Sequence, residues 1–560
     1  MKQNKTRDEV SMSAKEKKIK RVEWGVLSLL LALVMAGAAF IGGWFGRWSA
    51  LGRNKQSLLN AIDAAQSEFY QEVDEDTFYK RLYEAFKLDN YSRFYTAEDY
   101  REITAERNGQ NRDPGFSYLT EESFLKVYTV LEGSSAEEAG VQEGMYFFKY
   151  GTSADAKEMV AGSAEKYFAF VSNLKKDQTY FVLCGTSENI AEAKVYEVKN
   201  GEKGAGIALT RHYDPMRVFQ VIDNSPAYHA GLKRGMYVLK FGKSEKELTA
   251  GTSEDFSAMI ESLDPDEDEN GKKLDSYTFY MQCSFDKEDE DAPVVAVSMK
   301  EYQAGYCLYR DSESSYRFLT TDKGMAPVKT DEAMKELDDI TAYISITRFM
   351  GNAAEEFAEL LGIMKNSGRT NLILDLRGNG GGYMDVFVNI AACLLKDAPS
   401  GSQKVAFARF RDGSTVSYST KNSTYNNYFV ESSRVSILAD EYTASASECL
   451  IGALVDYGTV AFSDIYLHEN TQGVARTYGK GIMQTFYDVG GGNKLKLTAA
   501  EIFWPKSEKS IHTVGVTPSD GAVAIKSTML PTETDAFLQQ AIELIKNKPT
   551  STPSAPSGSY

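Results

Sequence analysis

Histidine is nearly missing from this chain: four in 560 residues. That leaves little material for a histidine-built metal centre or proton relay. Cysteine is almost as scarce. Cys184, Cys283, Cys307, Cys393 and Cys449 are odd in number and widely scattered, with no CxxC pair, which excludes a dense disulfide framework and a zinc ribbon. There is no excess of basic residues either. Lys and Arg number 62 against 79 Asp and Glu, a net charge of −17, where a nucleic-acid binder needs a basic face. The glycine run at 380–382, after an apolar strand, is not followed by Gly-Lys-Ser/Thr, so a nucleotide loop is not expected. The sequence therefore predicts no metal, no cofactor and no nucleic-acid partner.

One long apolar run is present. Trp24 to Phe45 contains no charged residue. As a helix it would be about 33 Å long, enough to cross a hydrocarbon layer. Trp24 and Trp44 stand at its ends, where indoles favour the headgroup zone. The preceding 23 residues carry eight basic and four acidic side chains. The excess of positive charge places that tail in the cytoplasm and everything after the span outside. The expectation is a single-pass cell-membrane anchor with an extracellular catalytic part. Ala36-Gly37-Ala38 has the form of a signal-peptide cleavage site, which keeps a cleaved leader open as the rival reading.

Beyond the span, residues 46–112 read as a helical segment: Leu58, Leu59, Ile62, Ala65 and Phe69 follow helical spacing. An internal repeat follows. Eleven residues from Gly115 to Gly151, among them Ser134, Ala136, Gly140 and Gly144, recur 91 positions later as Gly206 to Gly242. Two copies of one strand-rich module are expected, over 113–200 and 201–303. The pattern of strand, Ser-x-Ala-x-x-Ala-Gly helix, turn and strand resembles a PDZ domain of the bacterial protease type. Such domains add a peptide as a strand and hold its terminal carboxylate on the N–H groups of a glycine loop. In the second copy that loop is Gly204-Ala205-Gly206-Ile207, so Ala205, Gly206 and Ile207 are the candidate carboxylate-binding residues. In the first copy it reads Asp113-Pro114-Gly115-Phe116, where proline removes a donor.

Residues 304–530 alternate strands and helices, the pattern of an α/β sheet with helices packed on it. Predicted strands lie at 342–349, 371–376 and 435–439, and predicted helices at 353–367, 383–395 and 445–457. A C-terminal helix is expected within 531–547, and 548–560, rich in Pro, Ser and Thr, reads as disordered. Three segments of this block stand together: Asp375-Leu376-Arg377-Gly378-Asn379-Gly380-Gly381-Gly382 after an apolar strand, Thr443-Ala444-Ser445-Ala446-Ser447-Glu448 at a helix mouth, and Tyr478-Gly479-Lys480-Gly481-Ile482-Met483-Gln484. Singly each is weak, since a serine before a helix is more often a cap than a nucleophile.

In order and register they resemble the carboxyl-terminal processing proteases, tail-specific serine peptidases of family S41 with a Ser-Lys dyad. The resemblance runs over about residues 56–530, including the segment Leu88-Asp89-Asn90-Tyr91-Ser92. It implies an α/β core of the ClpP/crotonase-like kind. It also implies Ser445 as nucleophile, Lys480 as base, Gln484 as the residue orienting it, and an oxyanion hole from the N–H groups of Ala446 and of Gly381 or Gly382. The chemistry suits those residue types. Lysine serves as a base only when neutral, and burial away from other charge brings its pKa down toward that condition. This sequence departs from the family in carrying two PDZ-like modules where one is usual, and in a longer stretch before Lys480, from Gly458 to Tyr478.

The fold expected is thus α/β and β-rich, multidomain. The function expected is a membrane-anchored serine endopeptidase that takes free C-termini of exported or unfolded proteins. Self-association is compatible with the sequence. Two other readings stay open: an inactive, anchored scaffold binding protein C-termini, and a Ser-His-Asp hydrolase using His512, to which a structural role is assigned here.

Overall fold

A computed structural model describes residues 61, 62, 78 and 82–548, apart from short segments at 120–122, 161–163, 187–189, 202–204, 214, 320–323, 328–331, 396–402, 424–433, 471–472, 529 and 533. The predicted anchor at 24–45, the tail before it, most of the helical stretch and residues 549–560 lie outside the described residues. No described helix is long and apolar enough to cross a membrane.

The chain divides into two compact units, Met1–Leu88 and Asp89–Tyr560. In the first, a short 3-10 turn spans Glu84–Phe86 and the Leu88 N–H closes on the Phe86 carbonyl at 2.9 Å.

The second unit holds the remainder of the fold. Its largest sheet has eight strands, in the order Gly324–Pro327, Ser315–Leu319, Cys307–Arg310, Thr341–Ile346, Asn371–Asp375, Val435–Ala439, Ile465–Glu469, Val523–Lys526. The last five run parallel. Parallel strands need crossovers and are covered on both faces, so they read as continuous apolar runs. Side-chain alternation divides them accordingly. Ile344, Leu374 and Ile437 face helices Ala353–Asn366, Met384–Leu394 and Ala446–Asp456. Tyr343, Ile373, Leu438 and Tyr466 face the C-terminal helix Ala536–Asn547 through Phe537, Leu538, Ala541 and Ile542. The predicted helices and strands of this block are present, with ends within a few residues of those expected. The long stretch before Lys480 contributes the core strand Ile465–Glu469 between two parallel neighbours, rather than a lengthened hairpin.

A second sheet is built on the long strand Asn493–Phe503, which pairs with Ile482–Gly490, with Lys404–Phe410 and, at its start, with Arg93–Tyr95. Residues 89–112 therefore belong with the core rather than with a separate N-terminal helical segment. After the strand Arg93–Tyr95, Thr96 caps the helix Ala97–Arg107.

The repeat forms two five-stranded antiparallel modules, but not with the boundaries expected from its period. The first sheet runs Lys194–Lys199, Thr179–Gly185, Tyr146–Gly151, Ser123–Val130, Ile207–Tyr213. The second runs Val294–Met299, Tyr277–Ser284, Tyr237–Gly242, Arg217–Val221, Phe116–Leu119. Each copy has given its first strand to the other. The glycines mark the same exchange: Gly206 lies against Ser134, and Gly115 against Ser225, with no room for a Cβ at either. Ser134 and Ser225, repeat equivalents, both cap short helices, through the N–H groups of Glu137 and Tyr228. Ala205, Gly206 and Ile207 thus belong to the first module and not, as the repeat period suggests, to the second.

Candidate active site

The site lies at the carboxyl ends of the parallel strands, where loops leave Asp375 and Ala439. Ligand sites in open α/β sheets form at such ends. Ser445 precedes the helix Ala446–Asp456 with φ 58° and ψ −116°, a conformation that a residue with a Cβ rarely adopts. Such strain persists only where the surroundings hold it. Gly381 packs so closely that a Cβ there would meet the Ser445 Cβ at 2.8 Å and the Ala446 nitrogen at 2.9 Å.

Asn379, fully buried, fastens the glycine run to the serine loop. Its side chain donates to the Ile346 carbonyl at 2.8 Å, and its carbonyl accepts from Ala444 N–H at 3.0 Å and from Ser447 Oγ at 2.9 Å. Its Oδ1 also accepts from Gly381 N–H at 2.9 Å. Gly381 N–H is therefore engaged internally, which corrects its expected place among the oxyanion donors. The N–H groups of Ala446 and Gly382 make no hydrogen bond among the described residues.

Glu448, three positions after Ser445 and fully buried, joins the second and third motifs. Its Oε2 accepts from the N–H groups of Ser445 and Lys480, both at 2.9 Å. Its Oε1 accepts from Thr477 Oγ1 at 2.6 Å and from Gly479 N–H at 2.8 Å. Two nitrogens sharing one oxygen lie within twice that distance of each other. The backbones of Ser445 and Lys480 are adjacent despite the intervening strand. Burial pushes the Glu448 carboxyl up, and those hydrogen bonds oppose it.

Burial, and then the charge of Lys496, pull Lys480 below the ordinary lysine value; Glu448 and Asp89 act the other way. Its Nζ sits 4.6 Å from the centroid of the Tyr91 ring. Tyr91 OH donates to Tyr478 OH at 3.1 Å. Gln484 donates through Nε2 to Thr498 Oγ1 at 3.2 Å and makes no hydrogen bond to Lys480 among the described residues. An open cleft of about 550 Å³ adjoins, lined among others by Tyr91, Tyr442, Arg476, Tyr478 and His512. The His512 ring makes no hydrogen bond to Ser445 among the described residues. Among the described residues no group of three or more His, Cys, Asp or Glu is placed to hold a metal, and the five cysteines are buried and form no disulfide.

The second repeat module reaches this site. Phe219 lies 4.6 Å from the Tyr442 ring, and a Cβ at Gly378 would meet the Phe219 ring at 3.2 Å. Arg234 pairs at 3.4 Å with the buried Asp440, whose other oxygen accepts from the N–H groups of Gly378 and Tyr442. Sequence reasoning did not find Asn379, Tyr91, Asp440 or Phe219. For Glu448 there was one local signal, the Ser-x-x-Glu spacing of a capping box with Ser445.

Residues 340–520 match the family model "Peptidase family S41". The carboxyl-terminal-processing protease of Picosynechococcus sp. is 27% identical over 205 residues, 36% of this chain and 44% of that protein. The carboxy-terminal processing protease CtpB of Bacillus subtilis is 30% identical over 231 residues, 41% of this chain and 42% of that protein. The chain thus spans less than half the length of these curated relatives. The solved photosystem II D1 C-terminal processing protease aligns over 84% of this chain and 87% of its own, at 16% identity and a TM-score of 0.32.

Proposed function

We propose that this chain is a serine endopeptidase of the carboxyl-terminal processing kind, with Ser445 as nucleophile and Lys480 as general base. One observation carries the reading: the shared Glu448 oxygen that sets the backbones of Ser445 and Lys480 side by side, at 2.9 Å to each. The Ser445 hydroxyl attacks the scissile carbonyl while the neutral Lys480 amine takes its proton and later returns it to the leaving amine. The carbonyl oxygen develops charge toward the N–H groups of Ala446 and Gly382. Losing one such donor typically costs ~3 kcal/mol of transition-state stabilisation. Water then releases the acyl-enzyme by the same route.

The substrate class is a protein or peptide with a free C-terminus, captured as an added strand by a PDZ-like module. The first module is assigned that task. Its edge strand Ile207–Tyr213 follows the Ala205-Gly206-Ile207 loop, with Gly206 at φ 84°. In the second module the equivalent loop is already occupied: Asp113 Oδ1 accepts from Gly115 N–H at 2.8 Å, and Pro114 has no N–H. The uncharged run 24–45 would anchor the catalytic part outside the cell membrane.

The test is cleavage of an unfolded protein by the full chain. Loss of cleavage in both Ser445→Ala and Lys480→Ala, together with slower cleavage of a C-terminally amidated substrate, is expected. Unchanged cleavage in Ser445→Ala ends the reading. If the unaltered chain binds the C-terminus without ever cutting, it is a scaffold.

A further inference from the structure

The Lys480 ammonium rests on a ring. Its Nζ, 4.6 Å from the Tyr91 centroid, makes no hydrogen bond or ion pair among the described residues. The lysine does not hold the ring in place; other contacts do. Asp89 Oδ1 accepts from the N–H groups of Tyr91 and Ser92 at 2.9 and 2.6 Å. Thr498 N–H donates to Ser92 Oγ at 3.4 Å, tying the turn to the neighbouring strand, and the Tyr91 hydroxyl reaches Tyr478. Burial, then Tyr478, raises the Tyr91 phenol to about 12, so it faces the lysine as a neutral ring.

A ring face attracts a cation and does almost nothing for a neutral amine. We propose that Tyr91 is a positioning residue for the dyad: it holds Lys480 in its ammonium form, and the amine becomes available to Ser445 only once its proton has left. The charged and titratable groups facing Lys480 are Lys496, which repels the ammonium, Glu448 and Asp89, which attract it, and Tyr91 itself. The proton leaves to solvent through the adjoining cleft, which Tyr91 and Tyr478 help to line. A cation–π contact of about 0.5–2 kcal/mol corresponds to roughly 0.4–1.5 pH units in the titration of the amine. The ring therefore sets the pH at which the base is ready, against the effects of burial and Lys496.

The inference rests on the dyad reading for its consequence in catalysis, but it can be measured without catalysis. Competitive acetylation of Lys480 in the full chain, followed across pH by mass spectrometry, reports the amine's midpoint. Trifluorophenylalanine in place of Tyr91 keeps the shape and weakens the ring face. The midpoint is expected to fall by about 0.4–1.5 units there and in Tyr91→Leu, and to stay within about 0.2 units in Tyr91→Phe. The acid limb of kcat/KM should move with it. A fluorinated chain that titrates like the unaltered one overturns the proposal, as does a Tyr91→Phe shift as large as the fluorinated one. If Tyr91→Leu does not fold, the fluorinated ring alone decides. A shifted midpoint in a chain that never cleaves would leave Tyr91 its role and sink the peptidase reading instead.

Discussion

Phe219 lies 4.6 Å from the ring of Tyr442, three residues before Ser445. It also covers Gly378, so one side chain of the second module touches both loops that frame Ser445. Phe219→Ala leaves a hole on that contact. The expected cost is about 3 kcal/mol or more of stability, with a fall in kcat larger than any rise in KM. Urea melts and steady-state cleavage measure the two. Full activity in a folded Phe219→Ala chain would show that the module does not support the loops.

Glu448 is the second target. Glu448→Ala removes the acceptor of four donors at once, the buried ones of Thr477 and Gly479 and the part-buried ones of Ser445 and Lys480. Each unsatisfied group costs about 1–3 kcal/mol. Loss of cleavage by at least about a hundredfold is expected, and Glu448→Gln, isosteric but with one acceptor fewer, should fall between. If the Gln variant cleaves at the full rate, the tether does not position Ser445 against Lys480.

The buried Glu356 accepts the N–H groups of Tyr306 and Cys307 through Oε2, at 2.7 and 2.8 Å. Burial raises its carboxyl to about 8. The folded state therefore holds a proton that the unfolded chain gives up near the ordinary glutamate value. The stability associated with it is fully present below that value and is lost as pH rises through about 8. Glu356→Gln should remove this fall. Urea midpoints of the two proteins should converge in acid and separate at pH 8–9, with the Gln variant the more stable. Parallel profiles would refute it.

Arg377 spans Asp375 and Asp535, both through Nη2, at 2.6 and 2.9 Å, and so holds the start of the C-terminal helix on the sheet. Burial raises the Asp535 carboxyl, but the Arg377 guanidinium outweighs it and holds the group at about 2. The stabilisation is present above the ordinary aspartate value and is lost as pH falls through about 2. Asp535→Ala should cost roughly 3–5 kcal/mol near neutrality, where it leaves Arg377 short of a partner. The gap from the unaltered protein should close in strong acid, as read by acid titration of near-UV circular dichroism.

Much of the core was legible because parallel strands buried on both faces are written as apolar runs and their helices as amphipathic ones. Asn371–Asp375 and Ala353–Asn366 are examples. The serine motif was legible as a helix mouth. Its fastening was not. Glu448 meets Thr477, Gly479 and Lys480 through tertiary folding, and no local spacing announces a side chain that serves two distant loops. Gly381 looked like an oxyanion donor because a glycine run offers N–H groups, but whether Asn379 takes one of them is a matter of where a side chain points. The exchanged strands were hidden for a different reason. An edge strand pairs through backbone groups, so the sheet that accepts it leaves little mark on its side chains.

That exchange makes the first module a cassette. Ser123 stands opposite Tyr213 in register, and Leu119 opposite Arg217. Its entry and exit points are therefore neighbours, and so are the ends it would leave behind. A chain cut between the tandem copies, near residue 200, would orphan a strand on each side of the scar. A splice from Leu119 to Arg217 through a tight turn would lift one module out whole and leave the other zipped shut against the unit built on the eight-stranded sheet.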